Sequence, residues 1–234
     1  MSVSRTDSVT VADGTFDLHV WTPEVGSGPG LVLVQEIFGV GPYIRAVAER
    51  LAEAGYVVGA PDLFWRFSPN WQADHSEAGL SESFGKVAQL DIPLAVADLA
   101  AAHDHLSSDP GVVGTPGVIG FCLGGTLAWA LAGTGAPSVC VSYYGSGVPS
   151  MLDLVEQVRI PTLFHFGNDD PYLPGAGVDA LSAAIAGHAN FSINVEHAGH
   201  AFDNHEAPMF WNENAAKAAW TKTMAFLGRE LPVG

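Results

Sequence analysis

Short runs of apolar residues alternate along this chain with stretches whose apolar positions recur every three or four residues. Leu31-Val32-Leu33-Val34 is fully apolar, the pattern of a strand buried on both faces of a parallel sheet. Tyr56 to Ala60, Val112 to Ile119, Ser138 to Tyr143, Ile160 to Phe166 and Phe191 to Val195 supply further strands. Between them Tyr43 to Ala54 puts Ile44, Val47, Ala48 and Leu51 on one helix face, with Gly55 as its stop. Ile92 to Leu106, Thr126 to Ala132, Met151 to Val158 and Gly177 to Ala186 read as helices, and Asn214 to Leu227 as a closing one. In that last helix Ala218, Met224 and Leu227 face inward, and Gly228 ends it. Near the start, Ser8 to Val11 and Phe16 to Trp21 flank Ala12-Asp13-Gly14, a hairpin signal. Leu63 to Gly85 keeps no clear period and is rich in aromatic and polar residues, so it predicts an irregular flap. Strands alternating with helices predict an α/β fold: a mostly parallel central sheet with helices on both faces. No repeat or linker divides residues 1–234, which predicts a single domain.

The chemistry gathers at the joint between one strand and the next helix, Gly120-Phe121-Cys122-Leu123-Gly124-Gly125. A strand turning sharply into a helix strains its middle residue, and small neighbours two positions away relieve the crowding. This is the nucleophile-elbow pattern with Cys122 in place of serine. The helix N-terminus offers Cys122 a positive dipole end and free N–H groups, which favour a thiolate and a developing oxyanion. A cysteine among apolar residues can also be a plain buried hydrophobe. The downstream order argues for catalysis. Leu163 to Phe166 runs into Gly167-Asn168-Asp169-Asp170, and Phe191 to Val195 leads to Glu196-His197-Ala198-Gly199-His200. Nucleophile, acid, histidine, each after a strand, is the order of an α/β-hydrolase. His200 is the expected base, with His197 its neighbour and competitor; Asp169 reads as a turn-former beside Asp170. His197, His200 and His205 on a loop without a Cys ligand pair do not make a metal site. Backbone N–H groups of Leu123 and of Ile37, after the Leu31–Val34 strand, are expected to form the oxyanion hole.

In these residues the chain resembles the dienelactone hydrolase family. The match lies in Gln35-Glu36-Ile37-Phe38-Gly39, Pro61-Asp62-Leu63-Phe64, Gly120 to Gly125, Tyr143-Tyr144-Gly145, Gly167 to Asp170 and Ala198-Gly199-His200-Ala201-Phe202, in order along nearly the whole chain. The resemblance implies a cofactor-free α/β-hydrolase using a Cys-His-Asp triad on esters and lactones. Carried over, the triad is Cys122, His200 and Asp170, the family's spacing from Gly167 favouring Asp170. Glu36 would hold the resting thiol, and its carboxylate disfavours a thiolate by like-charge repulsion. Its alternative part is to pair with a nearby cation. The family's dienelactone-cleaving members clamp a substrate carboxylate with arginines, one near the segment around Leu80 and one at the position of Asn204. This chain has Asn204 there, and between Arg66 and Arg159 its only lysine or arginine is Lys86. Phe38, Phe64, Trp65, Tyr144 and Phe202 are then the expected lining of the site, some of them core instead, with Asn204 a further substrate-binding candidate and Arg66 leaning in from the flap or lying on the surface.

The expected activity is hydrolysis of small carboxylic esters or lactones through a covalent acyl-enzyme. Thioester or amide hydrolysis and acyl transfer use the same groups, and a non-catalytic binding protein could keep the same scaffold. Composition narrows the partners. A formal charge of −16 with nine Lys and Arg argues against nucleic acid and anionic membranes. Hydrophobic residues make up 48%, yet no apolar run is long enough for a bilayer. Met1 to Asp7 shows no secretory signal, which predicts a cytoplasmic protein with Cys122 and Cys140 as free thiols and Cys140 in the core. The expected partner is a small molecule, with no cofactor, in a monomer or small homo-oligomer.

Overall fold

The computed structural model describes residues 2–173 and 175–234. Eight strands form one sheet in the order β1-β2-β4-β3-β5-β6-β7-β8. The hairpin β1 (Val3–Val11) and β2 (Gly14–Thr22) pairs from Val3 against Thr22 to Val11 against Gly14. β2 lies antiparallel to β4 (Val57–Pro61), and from there every pairing is parallel: β3 (Gly28–Val34), β5 (Val112–Phe121), β6 (Cys140–Tyr143), β7 (Thr162–Gly167) and β8 (Phe191–Glu196). The apolar run of β3 is divided between two cores. Val32 and Val34 enter one with Leu127 and Trp129; Leu31 and Leu33 enter the other with Val47 and Leu51. A strand with apolar side chains on both faces needs helices on both, and it has them. α3 (Ile92–Ser107), α4 (Leu123–Ala132) and α5 (Gly175–Ala184) pack into the first core; α1 (Pro42–Glu53) and α6 (Glu213–Glu230) into the second.

The structure departs from the sequence pattern in the flap and in the last helix. Residues 63–85 hold the start of a helix, α2 (Glu77–Val87), capped by Ser76, whose hydroxyl accepts from the Gly79 N–H. α6 continues past Gly228 to Glu230, and its buried face is Ala215, Ala219, Thr223, Phe226 and Leu227, with Ala218 only partly covered. The phase is set by Thr223, whose hydroxyl meets Tyr143 Oη at 2.6 Å and His165 Nε2 at 2.9 Å. Burial pushes His165 down to about 3, so a neutral ring fills that polar pocket in the core. Met151 to Val158 is a 3₁₀ segment, Val148–Glu156.

Three residues expected at the site are drawn elsewhere by Asp62, Asp98 and Asp13. Asp62 accepts from the Phe64 and Asn70 N–H groups, curling this segment against the hairpin. Phe64 is fully buried there beside Phe67. Trp65 packs on Phe16 and donates to Asp98 Oδ2 at 2.9 Å. Arg66 forks between Asp13 and the buried Asp98, so it neither leans into the site nor lies free on the surface. Arg66→Ala is expected to lower the unfolding free energy by about 3 kcal/mol, since it strips a buried carboxylate of its cation. Urea denaturation measures this; an unchanged midpoint would contradict it.

Candidate active site

All parallel strands present their C-terminal ends at one edge of the sheet, where open α/β sheets collect ligands. Cys122 stands there between β5 and α4 with φ 56° and ψ −116°. That left-handed backbone costs a non-glycine residue on the order of 1–3 kcal/mol. It persists because the neighbouring structure leaves no alternative. A Cβ on Gly120 would overlap the Gly124 carbonyl, and one on Gly124 would overlap the Val34 carbonyl. The Cys122 N–H is fastened to Tyr143 O at 3.0 Å. The thiol therefore projects from a clamped turn at the N-terminus of α4, whose first N–H groups have no partner within the helix.

His200 comes to this thiol from the loop after β8, Nε2 to Sγ 3.1 Å. Its other nitrogen, Nδ1, lies 2.7 Å from Asp170 Oδ2, in the turn after β7. Asp170 Oδ1 accepts the Tyr172 N–H at 2.8 Å, so both carboxylate oxygens have donors. Burial alone would lower the histidine's affinity for a proton. Cys122 and Asp170 outweigh it and raise His200 to about 10. The two competitors stay out: Asp169 is exposed, and His197 is exposed and paired with the Asn168 amide. His205 lies apart, edge-on to the Tyr43 ring.

Glu36 follows β3 and is 1% exposed. Tyr144 Oη donates to its Oε1 at 3.3 Å and Asn204 Nδ2 to its Oε2 at 2.6 Å. Burial pushes the carboxyl up to about 7, against the pull of His200 and these donors. Among the described residues no lysine or arginine is bonded to it, so it does not pair with a nearby cation. Asn204 and Tyr144 are thus partners of Glu36 and not lining residues. Asn204 also meets His75 Nε2 at 3.0 Å, and His75 packs tilted on Phe38 with centroids 4.2 Å apart.

A cavity of about 230 Å³ opens over the thiol, lined by Glu36, Ile37, Phe38, Cys122, Leu123 and His200 together with Leu80, Phe84, Val87, Thr126, Ser146, Gly147, Tyr172, Ala201 and Phe210. Of the aromatic residues expected here only Phe38 takes part; Phe202 is fully buried behind, edge-on to Tyr144. Leu80, Phe84 and Val87 were missed although their spacing of four and three is helical, because the two glycines and three serines in and before α2 mask the period. Tyr172 and Phe210 come from loops and carry no periodic signal. Tyr172 stands edge-on to His200, ring centroids 5.0 Å apart.

A mostly parallel sheet with a strained strand-to-helix elbow, facing a histidine from the loop after the last strand, is an α/β-hydrolase. Comparison with known proteins carries this further: residues 16–231 match the dienelactone hydrolase family. The chain belongs to that family, and it is a hydrolase. A carboxymethylenebutenolidase of a Pseudomonas species is 34% identical over 222 residues, covering 94% of this chain and 93% of that one. Carboxymethylenebutenolidase 1 of Cupriavidus pinatubonensis is 31% identical over 215 residues, 92% of each chain. Among solved structures, a dienelactone hydrolase-like promiscuous phosphotriesterase from metagenomic libraries superposes with a TM-score of 0.83 at 25% identity, covering 100% of this chain and 99% of that one. Among the described residues no helix is long and apolar enough to cross a membrane.

Proposed function

We propose that the protein hydrolyses small carboxylic esters or lactones through a covalent acyl-enzyme on Cys122. The reading rests on the unbroken line of contacts Asp170–His200–Cys122, 2.7 and 3.1 Å, at the floor of the cavity. His200 takes the thiol proton, and a raised proton affinity suits an imidazolium beside a thiolate. Asp170 holds the ring with Nδ1 protonated and steadies its charge. Cys122 attacks the carbonyl, and the N–H groups of Leu123 and Ile37, both at the cavity, take up the oxyanion. His200 then protonates the leaving oxygen, and water, deprotonated by the same ring, frees the acyl group. An ionised Glu36 opposes a thiolate by like-charge repulsion. The names of the two carboxymethylenebutenolidases support a lactone as substrate. A burst of nitrophenol from an aryl ester, stoichiometric with one thiol per chain, tests the reading; steady release without a burst in either phase, or none, would count against it.

The cavity bears on which acyl compounds are taken. Its described lining includes no lysine or arginine, and Lys86 is turned onto the Trp71 ring, 4.4 Å from its centroid. A substrate carboxylate would lie beside Glu36 with no lysine or arginine of the described lining to offset its desolvation. A lactone's neutral methyl ester is therefore expected to exceed its free acid in kcat/KM by about ten-fold or more, because an unpaired buried charge costs upward of about 1.5 kcal/mol. Arg66→Ala is expected to leave that ratio unchanged. Preference for the free acid, abolished in Arg66→Ala, would overturn this.

A further inference from the structure

Behind Glu36, away from the cavity, a line of buried hydroxyls leads to a second carboxylate. Tyr144 Oη, which faces Glu36 Oε1, also lies 3.2 Å from Tyr43 Oη, and Tyr43 Oη lies 2.8 Å from Asp203 Oδ2. All four residues are buried, Asp203 at 2% exposure, and Asp203 Oδ1 has no hydrogen-bond partner among the described residues. The line thus consists of three oxygen–oxygen contacts, Glu36–Tyr144, Tyr144–Tyr43 and Tyr43–Asp203. Each needs one proton.

The two phenols supply one proton each. If both carboxyls were ionised, Tyr144 would donate to Glu36 and Tyr43 to Asp203, leaving two phenol oxygens facing each other with no proton between them. If both were protonated, four protons would crowd three contacts. One carboxyl proton fills all three, in either of two directions: from Glu36 through Tyr144 and Tyr43 to Asp203, or the reverse. The position of that proton on Glu36 is also fixed. The Glu206 N–H donates to Asn204 Oδ1, which turns Asn204 Nδ2 toward Glu36 Oε2 as a donor. Only Oε1, the oxygen facing Tyr144, can carry a proton.

We infer that Glu36, Tyr144, Tyr43 and Asp203 form one hydrogen-bonded chain in which a single proton serves two buried carboxyls. Passing it along breaks the O–H bonds of Glu36, Tyr144 and Tyr43 and forms those of Tyr144, Tyr43 and Asp203; net charge is unchanged and no electrons are exchanged. Asp203 is a positioning residue in this scheme, since it sets the charge on Glu36 without touching substrate. The surroundings agree. Burial raises both carboxyls, Glu36 to about 7 and Asp203 to about 6. His200 and the donors of Asn204 and Tyr144 draw Glu36 toward ionisation, while Asp203 opposes it. Tyr43 and Arg50 do the same for Asp203, which in turn faces the phenols of Tyr143 and Tyr144. His75, through Asn204, His205, on the Tyr43 ring, and Cys122, which faces the Tyr144 phenol, also stand around the chain. When His200 becomes an imidazolium, an ionised Glu36 beside it is favoured and the proton moves to Asp203, without exchange with solvent. That coupling rests on the catalytic reading of Cys122 and His200; the shared proton does not.

Infrared spectroscopy of the carboxylic acid C=O stretch tests the inference independently of activity. Other buried carboxylates are already matched with donors: Asp62 with two N–H groups, Asp98 with Trp65 and Arg66, and Asp170 with His200 and Tyr172. They contribute no band. At neutral pH the wild-type protein is expected to show a band equivalent to one protonated carboxyl. Asp203→Asn should lose it, because an amide at 203 donates into the chain and leaves Glu36 ionised. Glu36→Gln should lose it equally, because the amide donates from the other end and leaves Asp203 ionised. A band that survives in either single variant assigns the proton to one residue alone and overturns the inference. A wild-type band equivalent to none or to two carboxyls overturns it without any variant having to fold.

Discussion

Cys122→Ala is expected to lower ester hydrolysis by about a thousand-fold or more, while Cys140→Ala keeps most of it. Removing the nucleophile of a triad leaves only what the oxyanion hole and binding supply. The two thiols stand in opposite surroundings. Cys122 lies at the cavity against His200, whereas Cys140 is fully buried in β6 and burial raises its thiol far above the usual range. Iodoacetamide should accordingly label Cys122 and leave Cys140 unreacted, since only a thiolate within reach alkylates quickly. The measurement is kcat/KM on an aryl ester for both variants, with mass analysis of the alkylated peptide. If Cys140→Ala were the inactive variant, the assignment of the elbow would fail. Because alanine keeps the small side chain that the strained turn already holds, loss of folding is not expected to cloud the result.

The parts of the site legible in the sequence are those whose chemistry and backbone demands fall on the same few residues. Gly120 and Gly124 mark the elbow because a Cβ at either would strike the backbone, and this constraint leaves a spelling that survives in isolation. Asp170 and His200 follow strands whose apolar runs are unmistakable. The sheet was legible for the same reason: β3 and β4 are buried along their whole length, and their sequence says so.

What stayed hidden depends on long-range partners. Trp65 and Arg66 follow the end of β4, the edge where ligands gather, and nothing local shows that Asp13 and Asp98 will claim them. α2 has its apolar residues at helical spacing, but Gly79 and Gly85 and its serines lower its intrinsic propensity, so packing over the cavity must stabilise it. In α6, Leu227 and Met224 face the core as their spacing says, but the polar Thr223, which serves Tyr143 and His165 on β6 and β7, joins the buried face and Ala218 lies at its margin. The chain from Glu36 to Asp203 has the same character. Its bonded members are separated by up to 160 residues, as between Tyr43 and Asp203, and only the fold lines them up.

Asp170→Asn is expected to lower kcat/KM by about a thousand- to ten-thousand-fold, with little change in KM. An amide can present its N–H to His200 Nδ1, which places the ring proton on Nε2, facing a thiol that must give up its own. The variant also removes a charge that favours the imidazolium, and this has a signature in stability. In the folded wild-type protein His200 is raised to about 10, against an ordinary value of about 6.5 when unfolded. A group whose folded value is raised contributes stability that is complete below the unfolded value and fades as pH climbs through the folded one. The wild type should therefore exceed Asp170→Asn in thermal stability most near pH 6, and the gap should close as pH approaches 10. Thermal midpoints of the two proteins at pH 6, 8 and 10, beside kcat/KM at each, read both effects. A gap that stays constant over this range would show that Asp170 supports the loop without acting on the charge of His200. A variant retaining a tenth or more of wild-type kcat/KM would remove Asp170 from the proposed mechanism.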